Sequence, residues 1–226
     1  MCLEYENCTC LGSQLRPRNF RQAYDVEAMF FDSDATYGYL ALITGFPIEG
    51  RNSGGIPFGP GDLGIDVTNA DSQVQDYHSP VSEALTITDY EFGIDIPDTY
   101  ITGPVAAGLM EVSRWRSAYY ESHEAKADPW KIAEGTNGPE GTYLGDAMFA
   151  YGSPVNDHYV YEFSFELEKL GIKDGNAVNF HWTMECGNDY LNLPATVNHT
   201  PEPASMLLLG TGLLGIAATS RRKFKK

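Results

Sequence analysis

Apolar and polar residues alternate with a period of two in several segments of this chain. In residues 159–167 every odd-numbered position is aromatic or aliphatic, and three of the four even-numbered positions are polar. Residues 178–185 repeat the pattern, with Phe180 and Trp182 on the apolar face and His181 on the polar face. This period predicts β-strands that pack one face on a core and turn the other toward water. Glycines in the turn region between them, residues 168–176, predict that the two strands are neighbours.

Six more segments fit short strands, and turn-forming residues separate them. They are residues 26–31, 37–46, 62–67, 84–88, 90–96 and 108–115. The chain has 23 glycines and 13 prolines, which suit many strands joined by tight turns. We expect residues 116–157 to form a long excursion. The pattern predicts an all-β fold for residues 21–198, a two-sheet antiparallel β-sandwich of the jelly-roll or carbohydrate-binding-module kind, while residues 1–20 fit no element.

The last 26 residues differ in character from the rest of the chain. Pro201, Glu202 and Pro203 precede an uncharged apolar stretch, and residues 221–226 carry five positive charges. The 16 residues from 204 to 219 include three glycines, which are common in membrane helices. As a helix they would span roughly 24 Å, against ~30 Å for the hydrocarbon core of a bilayer. We expect a transmembrane helix over residues 204–220, with the basic end in the cytoplasm and the body outside.

Two other interpretations of this tail fit less well. A helix buried in the core of a domain this size would show a polar face, and residues 204–219 show none. A plain C-terminal anchor would not need the Pro-Glu-Pro triplet directly before the helix. The order of triplet, glycine-rich helix and basic end resembles the PEP-CTERM signal, which exosortase recognises and processes in Gram-negative bacteria.

This resemblance implies a sequence of events for the exported chain. Residues 199–226 would be a transient anchor in the inner membrane, with Pro201, Glu202 and Pro203 as the sorting signal. Exosortase would cut the tail and release the body to the cell surface or the extracellular matrix.

The first twenty residues do not match an export leader. A signal peptide has a basic region followed by about 7–15 apolar residues, and this segment has neither. For an exported protein we expect either a misassigned start codon or a lost leader. Three of the four cysteines, Cys2, Cys8 and Cys10, lie in this segment. Their spacing does not fit a zinc site, and a disulfide to the distant Cys186 is open to an exported protein.

The charge of the chain is acidic and unevenly distributed. The net charge is −16, yet residues 1–200 hold 10 of the 15 basic residues and 30 of the 31 acidic ones. A body this acidic repels phosphate backbones, which proteins bind through clustered lysine and arginine. The charge therefore argues against nucleic acid as a partner and suits a soluble extracellular protein that can hold calcium.

Five aspartates are the calcium candidates, because this ion prefers hard oxygen ligands in turns and at strand ends. They are Asp32, Asp34, Asp62, Asp66 and Asp189. Asp62 and Asp66 share one face of their predicted strand. None of the five belongs to an EF-hand loop, and solvated surface carboxylates are the alternative interpretation.

The order of the strands also resembles the family-nine-type carbohydrate-binding module, a β-sandwich. The matching parts are residues 37–44, 61–67, 161–171 and 177–185. Glu166 stands where that family usually has proline, and its paired ligand-stacking tryptophans do not align with this chain. The resemblance implies binding of exopolysaccharide. Trp130, after Pro129 in a polar loop, is the candidate for stacking on a sugar, with a loop residue folded onto the surface as the alternative.

The sequence shows no arrangement of catalytic residues that we recognise. It has no nucleophile elbow, H-E-x-x-H motif or P-loop, and its five histidines are scattered. With 30 carboxylates in the body, any acid–base pair of the glycosidase type carries little information. We therefore expect a non-catalytic exported protein of the cell surface or matrix. A carbohydrate-binding module, calcium-dependent or not, is the alternative.

Overall fold

Strands dominate the part of the chain that the structure, a computed structural model, describes. That part comprises residues 13–15, 23–68, 90–97, 99, 101, 103–119, 127–155 and 158–198. The strands are β1 (Ser13–Leu15), β2 (Val26–Ser33), β3 (Tyr37–Thr44), β4 (Arg51–Ser53), β5 (Ile56–Phe58), β6 (Leu63–Asp66), β7 (Phe92–Asp95), β8 (Val105–Val112), β9 (Trp115–Arg116), β10 (Lys131–Ile132), β11 (Glu134–Gly135), β12 (Gly138–Pro139), β13 (Gly141–Val155), β14 (His158–Glu166), β15 (Ala177–Thr183) and β16 (Tyr190–Thr196). A 3₁₀ helix, Leu167–Leu170, follows β14.

Ten of these strands form one antiparallel sheet in the order β1-β2-β3-β14-β13-β8-β7-β6-β15-β16. The sheet curls until its two ends approach each other. At one end of the seam the Val26 N–H donates to the Asp189 carboxylate (2.8 Å), and at the other the Ser33 hydroxyl donates to the Asn198 carbonyl (3.4 Å). The all-β prediction is confirmed, but the strands share one nearly closed sheet instead of the predicted two-sheet sandwich.

Large aromatic side chains fill the interior of this sheet. Phe149, Tyr161 and Trp182 are buried, and their rings meet edge to face with centroids 5.8 Å apart in each neighbouring pair. Phe31 of β2 and Phe180 of β15 meet across the interior at 4.8 Å. Because several strands send bulky rings to one shared centre, curling a single sheet around that centre buries these rings.

Two predictions are wrong, one about where strands occur and one about which strands pair. The predicted excursion 116–157 contains β13, the longest strand of the sheet. Its period of two is broken by a bulge between Tyr143 and Gly145, where Gly145 has a φ of +139°. The predicted neighbours β14 and β15 do not pair, since β14 lies between β3 and β13 while β15 lies between β6 and β16. The 3₁₀ helix in their connection replaces the tight turn that a hairpin would need.

The polar face of β15 is covered, where the alternation predicted contact with water. The His181 and Thr183 side chains are fully buried, and Asn179 is 5% exposed. A cover segment, residues 113–119 and 127–133, lies over this face and forms the β9–β10 hairpin. A second apolar cluster of Tyr90, Met110, Trp115 and Ile132 forms beneath it.

A pair of glycines makes room for that second cluster. Gly64 of β6 lies opposite Gly93 of β7 in the sheet. A Cβ at Gly64 would lie 3.2 Å from the Tyr90 ring, and one at Gly93 would lie 2.6 Å from the Trp115 ring. The sheet surface at this position is therefore bare backbone, and the two rings pack directly on it.

The predicted strand 84–88, the unassigned segment 1–20 apart from β1, and the predicted helix 204–220 lie outside the described residues. Within the residues that are described, no helix has the length and apolar character needed to cross a membrane.

Candidate functional site

The last described residues of the chain, Val197 and Asn198, are bound to two turns of the body. Val197, which follows β16, donates its N–H to the Asn176 carbonyl (2.9 Å), and its own carbonyl accepts from the Gly175 N–H (2.8 Å). The Val197 side chain is fully buried in the main core. The next carbonyl, that of Asn198, accepts from the Ser33 hydroxyl. The last described residues are thus held firmly against the turns on either side of them.

Two of the predicted calcium ligands lie near the turn between β2 and β3: Asp32 is close to the end of β2, and Asp34 is in the turn itself. The Asp34 carboxylate accepts from the Thr36 and Tyr37 N–H groups and from the Tyr39 hydroxyl, each at 2.7 Å. These contacts stabilise the turn and fix the exposed Tyr39 ring. Asp32 is also exposed and accepts from the Ser33 N–H at 2.8 Å.

Asp62 directly precedes β6 and is buried, and its two side-chain oxygens accept hydrogen bonds from two different segments. One oxygen accepts from the Ile96 N–H after β7 and the other from the Ile132 N–H in β10, both at 2.9 Å. Burial, the largest cause, and the nearby Asp95 raise the pKa of Asp62 to about 8, against the opposing effects of Lys131 and of the two N–H donors. The contacts identify Asp62 as a link between the sheet and the cover segment.

The remaining predicted calcium ligands lie apart from one another. Asp66 is buried at the far end of β6 and accepts from the Thr68 N–H (3.0 Å). Asp189, in the turn between β15 and β16, accepts from the Val26 N–H at the seam of the sheet. Among the described residues, no group of three His, Cys, Asp or Glu side chains could hold a metal ion. The calcium site stays a prediction.

Trp130 is buried, contrary to the exposed loop position that the sequence suggested. Only 5% of the residue is exposed. The Arg116 guanidinium carbon lies 5.0 Å from the ring centroid and the Lys131 Nζ lies 5.9 Å from it. Because so little of Trp130 is exposed, its ring does not present a free face to a sugar. The Trp130 carbonyl accepts from the Asp62 N–H (2.7 Å), so Trp130 takes part in the connection that Asp62 makes between the sheet and the cover segment.

His181 is buried beside the second apolar cluster, whereas the sequence predicted a solvent-exposed position for it. Its Nδ1 lies 2.5 Å from the Asn192 amide oxygen, and its ring lies 5.2 Å from that of Tyr90. Burial lowers the pKa of His181 to about 4, although Asn192 and the backbone of Pro129 and Ala127 favour the charged ring. His181 is therefore neutral at physiological pH and serves as a buried hydrogen-bonding residue.

A feature that sequence reasoning missed is a shallow groove on the outer face of β2, β3, β14 and β13, with a volume of about 430 Å³. One row across these strands is Asp32, Tyr39, Ser164 and Met148, and the next is Phe30, Ala41, Glu162 and Ala150. The small residues form the floor, while Tyr39 (42% exposed) and Met148 (47% exposed) stand above it. One sequence signal could have indicated this surface. In β3 the inward positions include Leu40 and Leu42, so Tyr37 and Tyr39 at the alternate positions must face outward.

Comparison with known proteins identifies the tail. Residues 199–223 match the family model described as the PEP-CTERM protein-sorting motif. The match confirms the PEP-CTERM resemblance and indicates exosortase-dependent sorting of an exported protein. No curated protein and no solved structure matches the chain. The resemblance of the body to a carbohydrate-binding module has no support from these comparisons.

Proposed function

We propose that this chain is a non-catalytic protein of the cell surface or extracellular matrix, delivered there by exosortase. The observation that carries the proposal is the match of residues 199–223 to the PEP-CTERM motif, which begins three residues after the end of β16. The tail would hold the protein in the inner membrane through residues 204–220 until exosortase cuts it.

The surroundings of two buried titratable groups, Asp62 and His181, favour a non-catalytic body. Catalytic acids and bases have shifted pKa values, but they also reach substrate from a cleft. Asp62 and His181 have shifted pKa values, and both are fully buried beneath the cover segment. Their contacts are to backbone N–H groups and to Asn192, so their burial serves the fold.

Cell fractionation tests the proposal. In a host with exosortase, the wild-type protein should leave the inner membrane in a shortened form. In a host without exosortase, or with Pro201, Glu202 and Pro203 all changed to Ala, full-length protein should stay in the membrane. The control changes are Glu49→Ala and Pro57→Ala, both exposed on the body. Release of a shortened protein in the absence of exosortase would contradict the proposal.

A second candidate function, binding of exopolysaccharide, is favoured by the outer groove. The Tyr39 ring is exposed and held in place by Asp34, and aromatic faces with a polar tip suit sugar rings. Asp32 and Glu162 can accept hydrogen bonds from hydroxyls. Among the described residues that line the groove there is no lysine or arginine, so the groove suits neutral or amino sugars and not anionic ones.

A glycan array on the body, residues 21–198, tests this second candidate. Tyr39→Ala should abolish binding of any glycan that the wild type retains. Tyr119→Ala is the matched control, because Tyr119 is similarly exposed (38%) but lies outside the groove. Equal loss of binding in both variants, or no binding by the wild type, would exclude the groove as a glycan site.

A further inference from the structure

The fold holds the chain almost as far as the sorting triplet. β16 pairs with β15 through Thr196, which lies opposite Ala177. Val197 then contributes two backbone hydrogen bonds to the turn at residues 175–176 and a buried side chain to the main core. Asn198 accepts from Ser33 across the seam. The body therefore has no free segment between its last strand and Asn198.

Little chain is left between these contacts and the motif. His199 and Thr200 alone separate Asn198 from Pro201. Three Cα–Cα steps of about 3.8 Å place Pro201 no more than about 11 Å from Asn198. A peptidase takes up several residues on each side of the cut in extended form, and segments held in a fold are cut only after they open locally. An enzyme acting at the triplet would therefore meet residues that the body still holds.

We propose that the contacts of residues 196–198 with the body restrain processing of the sorting tail, so that exosortase cuts the folded protein only when this end of β16 opens. This rests on the proposed function, because it assumes that exosortase processes the tail. The restraint is an autoinhibitory contact built into the fold. Its central part is Val197, whose two hydrogen bonds and buried side chain must be released together.

A linker insertion tests the restraint without changing the body. The full chain is expressed in a host with exosortase, and conversion to the shortened form is followed by pulse–chase. Eight residues of alternating glycine and serine are inserted between Asn198 and His199. We expect conversion about tenfold faster, the factor that corresponds to about 1.4 kcal/mol of opening free energy. The same eight residues inserted between the exposed Gly54 and Gly55, in the turn of the β4–β5 hairpin, should leave the rate unchanged.

A pair of valine substitutions separates local release from general loss of stability. Val197→Ala weakens the hold on the tail and should speed conversion of the otherwise natural chain. Val26→Ala removes the same two methyl groups from an equally buried site at the start of β2, seven residues before the Ser33 that contacts Asn198. It should lower stability without the same gain in rate.

The outcomes distinguish this inference from the function on which it rests. Faster conversion with the linker and with Val197→Ala, but not with the two controls, supports the restraint. Conversion at one rate in all variants overturns the restraint and leaves exosortase sorting intact. Absence of conversion in every variant, including the one with the linker, overturns both.

Discussion

At the residue scale, Asp62 forms hydrogen bonds that join three parts of the chain. It binds the N–H groups of Ile96 and Ile132 and is itself held by the Trp130 carbonyl. Its pKa is raised to about 8 by burial, so the folded protein holds this proton more tightly than the unfolded chain does. The contribution of Asp62 to stability therefore falls as pH rises from about 4 to about 8.

Replacing Asp62 with asparagine tests this role. In Asp62→Asn, one oxygen can still accept, but the new NH₂ group faces an N–H donor that then lacks an acceptor. We expect the free energy of unfolding to fall by about 1–3 kcal/mol in urea titrations. Asp32→Asn is the control, because that carboxylate is exposed and accepts from a single neighbouring N–H. Equal stability of Asp62→Asn and the wild type would show that the link contributes nothing.

His181 makes the opposite prediction for pH. Its pKa is lowered to about 4 in the fold from an ordinary value of 6.5, so the unfolded chain binds this proton first as pH falls. Stability should therefore decrease between about pH 6.5 and pH 4, by about 3 kcal/mol from this group. His181→Gln should lose that part of the decrease, measured by urea unfolding at pH 7 and pH 4.5. An unchanged difference between the two pH values would contradict the assignment.

At the scale of elements, the period of two located strands where the pattern is unbroken. β14 and β15 carry the alternation in their sequences, and their predicted segments overlap the observed strands. β13 was missed because its bulge at Gly145 shifts the alternation. For β15, the pattern predicted a solvent-exposed polar face, because the alternation along one strand carries no information about a distant segment that covers it. Pairing of distant strands, such as β3 with β14, depends on the shared core and has no local signal.

The candidate sites show the same limit. The tail was identified because triplet, apolar stretch and basic end are contiguous in sequence. The groove was missed because Tyr39, Glu162 and Met148 lie on three different strands that come together only in the sheet. Trp130 was placed in a polar loop because its cover by Arg116 depends on the pairing of β9 with β10.

The pair of glycines beneath the cover segment, Gly64 and Gly93, gives a prediction for β7. Gly93→Ala would bring a Cβ within 2.6 Å of the Trp115 ring and 3.2 Å of Ile132 Cδ1. We expect a loss of about 1–3 kcal/mol of stability in thermal or urea unfolding, because overpacking displaces the cover segment. Gly152→Ala in β13 is the matched control, since its nearest contact would be an ordinary 3.7 Å. Similar losses of stability in Gly93→Ala and Gly152→Ala would show that the close approach of Trp115 to Gly93 has no special role.

At the scale of the whole molecule, the net charge of −16 means that cations should stabilise the protein, either by binding at a site or by screening repulsion between carboxylates. If the five aspartates include a calcium site, calcium at 100 times its dissociation constant should add about 2.7 kcal/mol of stability. Melting the body with millimolar calcium, with EDTA and with sodium chloride at equal ionic strength separates binding from screening. A midpoint that calcium raises no more than sodium chloride does would identify these aspartates as structural and solvated charges.

The central claim is that the folded body is exported and freed from its tail at the PEP-CTERM motif. Intact-mass spectrometry of the protein recovered from the surface of an exosortase-containing host measures this directly. The account predicts a mass that lacks the apolar and basic residues after the Pro201-Glu202-Pro203 region. Surface protein that still carries residues 204–226 would contradict it.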